Sequence, residues 1–238
     1  MKTENLIQRN GSNFDNWDII LNNYINTTFH PQDFSHDVNK KAFFDTNNLL
    51  AEISNYFFDY GKFRDKIDYS KCSLNFFGQN LFLKSFKTKS IFRWGLDMRN
   101  FYISYDIHNP QSIKSMGDEF WLDFLKLTEF GEFYFQENEV NNSEEKKMFA
   151  KYKKSNLFRL MSNYFVHEIQ NIEVDDNEKY RSFGLGTFKV KWSIETEWDV
   201  LINESSKVFE IFHRLDYKLW KIQDSKNKKK VISLKKNC

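Results

Sequence analysis

Apolar positions recur at three- and four-residue intervals through the first quarter of the chain. After a turn-like Asn10-Gly11-Ser12-Asn13, the residues Phe14, Trp17, Leu21, Tyr24 and Ile25 fall on one helical face. Ser12 followed by Asp15 resembles a capping box with Asp in place of the usual Glu or Gln, and Pro31 bounds the helix. A second helix is expected from about His36 to Tyr60, with Phe43, Leu50, Ile53, Phe57 and Tyr60 on one stripe. Ser35 or Asp37 would cap its start, and Gly61 would stop it.

The period then shortens. Ser73 to Phe77, Leu81 to Phe86, Ile91 to Leu96 and Phe101 to Ile107 are short, aromatic or β-branched, and punctuated by Gly78, Gly95 and Pro110, so they read as a meander of strands. Helical spacing returns at Gly117, with Phe120, Trp121, Phe124, Leu125 and Thr128 on one side until Gly131. A polar loop is expected from Gln136 to Ser143. Helices over about 143–152 and 156–171 follow, the second with Leu157, Leu160, Met161, Tyr164 and Phe165 on one stripe, and then an acidic turn at Asp175 and Asp176.

The cleanest alternation in the chain is Phe188, Val190, Trp192, Ile194, Thr196, Trp198 and Val200 against intervening polar residues, which predicts extended backbone from Gly186 to Val200. Its polar face runs from Lys189 and Lys191 to Glu195, Glu197 and Asp199. A last helix is expected from Ser205 to Gln223, with Val208, Ile211, Phe212, Leu215, Leu219 and Ile222 inward. Together these elements predict an α+β fold: an antiparallel central sheet with helices packed on one face, an N-terminal helical pair and a C-terminal helix. One globular domain is expected over residues 1–225, followed at 226–238 by a basic, mobile tail.

Composition adjusts this picture in three ways. Phe supplies 26 residues and aromatics 18% of the chain, so the core is expected to be built from large rings. The excess of Phe, Asn, Lys and Ile, with alanine only at Ala42, Ala51 and Ala150, looks like the coding bias of an AT-rich bacterial genome. The formal net charge is +2, but six lysines and no acid follow Asp224 and Ser225, and without those six the body stands at −4. Basicity therefore belongs to the tail and gives the body no general argument for nucleic-acid binding.

Two cysteines, Cys72 and Cys238, make no disulfide framework, and no apolar window reaches the length of a membrane span or secretory signal. A cytoplasmic location without a membrane span is the expectation.

No nucleophile or phosphate signature emerges. His30, Asp33, His36 and Asp37 in HPQDFSHD lack the spacing of a helical H-E-x-x-H metal pair and read as an interhelical loop. His108, His167 and His213 are isolated in sequence. Gly184-Leu185-Gly186 precedes strand-like rather than helix-like sequence, which fits a turn or bulge better than a phosphate cradle. No G-x-S-x-G, P-loop or C-x-x-C occurs, and no cofactor is implied.

What remains is charge on surfaces. Glu195, Glu197 and Asp199, with Lys189 and Lys191, are the candidate partner-binding residues, suited to steering a basic toxin or enzyme. The expected function is a non-catalytic bacterial protein-binding module, of the immunity or inhibitor type, that neutralises one protein partner. One alternative is a metal-dependent nuclease or other hydrolase whose acids converge in the fold. The other is a nucleic-acid-associated factor that uses Lys228, Lys229 and Lys230 in the tail.

Overall fold

The computed structural model describes residues 17–63, 67–75, 78–97, 99–107, 110–137, 160–161, 164 and 185–236. Six strands, four bounded α-helices and three 3-10 helices stand among them. Helices α1 (Trp17–Phe29) and α2 (His36–Gly61) lead into strands β1 (Ile67–Asn75), β2 (Gly78–Ser85), β3 (Ile91–Asp97) and β4 (Asn100–Asp106). Helix α3 (Asp118–Lys126), strand β5 (Glu132–Glu137), strand β6 (Gly186–Ser193) and helix α4 (Trp198–Lys236) complete the order. The strand order is β1-β2-β3-β4-β6-β5.

This is the α+β architecture expected from the pattern. The β1–β2 and β2–β3 pairs are antiparallel, in register from Asn75 opposite Gly78 and from Gly78 opposite Asp97. Backbone bonds from Ile107 to Gly186 and from Ile194 to Arg99 run β6 antiparallel to β4. Gly95 faces Asn80 across β2 and β3, and a Cβ there would meet the Gln79 carbonyl oxygen at 2.2 Å. Only glycine lets the two backbones approach this closely.

The chain divides into two compact units, the first of residues 1–104 and 190–210, the second of residues 105–189 and 211–238. In the first, Phe92, Trp94 and Leu96 alternate to one face of β3, where α2 covers them. The Trp94 indole N–H donates to the Leu50 carbonyl at 3.1 Å, satisfying the one polar atom of a fully buried ring. Phe209, on α4, is surrounded by Phe57, Phe58, Phe63 and Phe92 with ring centroids 5.1 to 6.2 Å away. On the opposite side of β3 the Arg93 guanidinium lies over the Phe82 ring.

The second unit is built around Phe188. Its ring meets Phe124, Phe133, Phe135 and Phe212 at 5.3 to 6.3 Å. Tyr105 packs against both Phe188 and Phe212 and donates its hydroxyl to Asp216. Arg214 donates to both carboxylate oxygens of Asp123 on α3, and Lys218 donates to one of them.

Several boundaries differ from the sequence reading, each for a local reason. The residue in left-handed conformation after α2 is Lys62, not Gly61, and paired bonds from Lys62 to Asp59 and Phe63 to Phe58 close a Schellman motif. Gly61 is needed instead because the Phe63 ring occupies the space where its Cβ would stand. Ser35 does cap α2, accepting from the Val38 N–H. On α3 the buried positions are Phe120, Asp123 and Phe124, while Leu125 is exposed. Strand β5 was not anticipated; Phe133 and Phe135 alternate inward within it.

The extended segment also ends early. Strand β6 stops at Ser193, residues 194–197 turn, and helix begins at Trp198, so the prediction of a strand through Val200 is corrected. The Ser193 hydroxyl accepts from the Glu195 N–H and the Ser193 carbonyl from the Thr196 N–H, diverting the backbone from the strand ladder.

Helix α4 likewise passes the predicted stop at Gln223 and continues to Lys236. No Gly or Pro follows Gly186, lysine is a good helix former, and Asp224 pairs with Lys228 one turn later at 2.7 Å. The segment expected as a mobile tail is thus helical backbone from Lys226 to Lys236. The helices expected over 143–152 and 156–171, the acidic turn at Asp175 and Asp176, His108, His167 and Cys238 lie outside the described residues, apart from Leu160, Met161 and Tyr164.

Candidate functional site

A cleft of about 490 Å³ opens in the first unit where α1 passes the turn that follows β6. From α1 it takes Asp18, Leu21, Asn22, Ile25 and Asn26, which share one face because a helix repeats every 3.6 residues. Arg99, from the turn between β3 and β4, and Ile194 to Glu197 form the rest of the wall. These two turns are joined directly, since the Ile194 N–H donates to the Arg99 carbonyl at 3.0 Å.

The turn is held at its other end by α4. The Leu201 N–H donates to the Glu197 carbonyl at 2.9 Å, which makes Glu197 the first residue to accept a bond from the helix. Asp199 follows in the first turn of α4, where a carboxylate opposes the positive end of the helix dipole. The Trp192 indole N–H donates to Glu204 at 2.8 Å and ties β6 to α4.

Charge in the cleft is one-sided. Asp18, Glu195 and Glu197 are exposed carboxylates, against the single guanidinium of Arg99. Leu21 at the base is buried. Tyr24, on the adjoining turn of α1, is buried too, and burial pushes its hydroxyl up to about 12. The arrangement offers a cation an apolar wall for its stem and carboxylates for its head.

The five residues predicted to share one strand face are therefore divided. Glu195 and Glu197 stand in the cleft turn; Asp199 is exposed on α4 and does not line the cleft. Lys191 is half-buried on β6 and pairs with Asp97 at 3.0 Å, while Lys189 is half-buried two residues earlier. Asp18 and Arg99 escaped the sequence reading because they lie about 95 to 180 residues from Glu195 along the chain. The sequence signal for Asp18 was the polar stripe Asp18, Asn22 and Asn26 on α1.

The candidates for nucleic-acid contact stand on α4. Lys228 and Lys229 are exposed on α4, and Lys230 lies on its helical backbone. Among the described residues, no group of three or more His, Cys, Asp or Glu side chains is placed to hold a metal ion. No described helix is long and apolar enough to cross a membrane. The comparisons with family models, curated proteins and solved structures return no match to this chain.

Proposed function

We propose that the protein is a non-catalytic module that binds one basic protein partner, in the manner of an immunity-type or inhibitor protein that neutralises a toxin or enzyme by direct contact. The observation that carries this reading is the cleft in which Asp18, Glu195 and Glu197 outnumber Arg99 above a buried leucine. A lysine or arginine of the partner would lay its aliphatic stem along Leu21, Ile25 and Ile194 and present its charge to the carboxylates. A stable contact needs roughly 800 Å² from each protein, so the exposed faces of α1 and the start of α4, including Asp199, would complete the footprint.

Affinity capture from the native source, followed by titration of the purified partner, tests this reading. Charge reversal of Asp18, Glu195 and Glu197 to Lys is expected to slow association on the order of tenfold or more at low salt. Reversal of Asp199 alone should have a smaller effect. Association and affinity unchanged in the triple variant would remove the cleft from the interface.

A further inference from the structure

The second unit carries a surface of opposite character. Helix α4 and the segment Ser115 to Phe120 enclose a groove of about 610 Å³. Met116, Phe120 and Ile222 give it an apolar floor, and Lys218, Lys221, Lys226 and Lys229 stand along its α4 side, against Asp118 and Glu119 opposite. At 100° per residue those four lysines fall within an arc of about 140°, and they span about 16 Å of helix. They thus form one row rather than a scattered set.

The lysines of the row are not equally engaged. Lys218 is held by Asp123 at 3.2 Å and Glu119 at 3.6 Å. Asp123 is below its ordinary carboxyl range: burial acts to raise it, but hydrogen bonds and charge from Arg214 and Lys218 outweigh that and hold it ionised. Lys221, Lys226 and Lys229 are exposed. Beyond them the same helical backbone bears Lys230, Lys235 and Lys236, with no acid after Asp224.

We propose that this lysine row of α4 docks the phosphate backbone of a nucleic-acid duplex, without reading its sequence. A duplex carries about one negative charge per 1.7 Å of axis, so each ammonium along 16 Å of helix has a phosphate within reach and releases a counterion on contact. The major groove, about 12 Å wide, admits an α-helix. Between Lys221 and Lys229 the exposed residues are lysine, serine and asparagine, without an exposed aromatic to stack an unpaired base. Nor does that stretch expose an aliphatic residue to enter a bilayer.

The surface is distinct from the acidic cleft, so this inference does not depend on the proposed function. Binding to two 20-base-pair DNA duplexes of unrelated sequence, followed by fluorescence anisotropy with the full chain, tests it. Both duplexes should bind alike, and three phosphate contacts should weaken binding about 40-fold or more between 50 and 200 mM salt. Replacing Lys221, Lys226 and Lys229 together by Gln should remove most of that salt dependence, whereas replacement by Arg should keep it. The side chains are exposed, and circular dichroism verifies that both variants retain the wild-type helix content. The inference is overturned if neither duplex binds at 50 mM salt, or if the Gln variant binds like wild type. It is equally overturned if phosphatidylserine vesicles bind more tightly than the duplexes.

Discussion

Tyr105 donates its phenolic hydrogen to Asp216 Oδ1 at 2.9 Å, and both residues are buried in the second unit. Removing the donor of a buried side-chain hydrogen bond leaves its acceptor unsatisfied, because water cannot replace the lost donor. Tyr105→Phe leaves the ring packing against Phe188 and Phe212 in place and removes only that donor. The expected loss is about 2 kcal/mol in chemical denaturation. A loss below about 0.5 kcal/mol would mean that the carboxylate finds a substitute donor.

Phe209 is the ring on which four other phenylalanines of the first unit converge. Truncation to Ala opens a cavity that the flanking β-sheet and α2 cannot close. Phe209→Ala should therefore lower stability by about 3 to 5 kcal/mol. Phe29→Ala, at an exposed phenylalanine, should stay within about 0.5 kcal/mol of wild type in the same denaturation series.

Gly95 admits no side chain without displacing β2, since its Cβ would meet both the Gln79 carbonyl and Asn80 Cβ at 2.6 Å or less. Gly95→Ala should cost about 1 to 3 kcal/mol through strain in that strand pair. Amide exchange in β2 and β3 should quicken in the variant, while the amides of α3 keep their wild-type protection.

Asp123 couples stability to acidity. Its carboxyl is lowered by Arg214 and Lys218 in the folded protein, so the unfolded chain takes up the proton first as pH falls. The stabilisation is complete above the ordinary carboxylate value of 3.8 and is lost as pH drops through the lower folded value. Thermal melts of wild type and Asp123→Asn should differ most near neutrality and converge in acid. A gap between them that is constant from pH 7 to pH 3 would assign the loss to packing alone.

Elements that bury one continuous stripe were legible in the sequence, and those set by local competition were not. The stripe of Leu50, Ile53 and Phe57 identifies α2 because every third or fourth residue must face the sheet. The alternation of Phe92, Trp94 and Leu96 identifies β3 in the same way. Past Ser193, however, apolar alternation continues through Ile194, Thr196 and Trp198 although the backbone has already turned, because one serine side chain supplies what the neighbouring strand would have. Strand β5 was hidden for a related reason: Phe133 and Phe135 are too few to set a period of two against the preceding helix.

The candidate cleft shows the same division. Glu195 and Glu197 were recognised as surface charges, but their meeting with Asp18 and Arg99 depends on tertiary packing among segments far apart in the chain. No window of sequence contains that information. The lysines of α4 were visible as charge and misjudged as geometry, since the absence of a helix breaker after Gly186 is a weaker signal than a run of lysines.

Phe209 has a further consequence for how the protein is made. The first unit draws its central ring from a position about a hundred residues beyond its own β4, so the N-terminal helices and strands leave the ribosome with their apolar face uncapped. At 5 to 20 residues per second the wait lasts roughly 5 to 20 s. During that interval Phe57, Phe58, Phe63 and Phe92 lack the ring that later packs among them, and the nascent chain presents apolar rings to its neighbours until α4 is made.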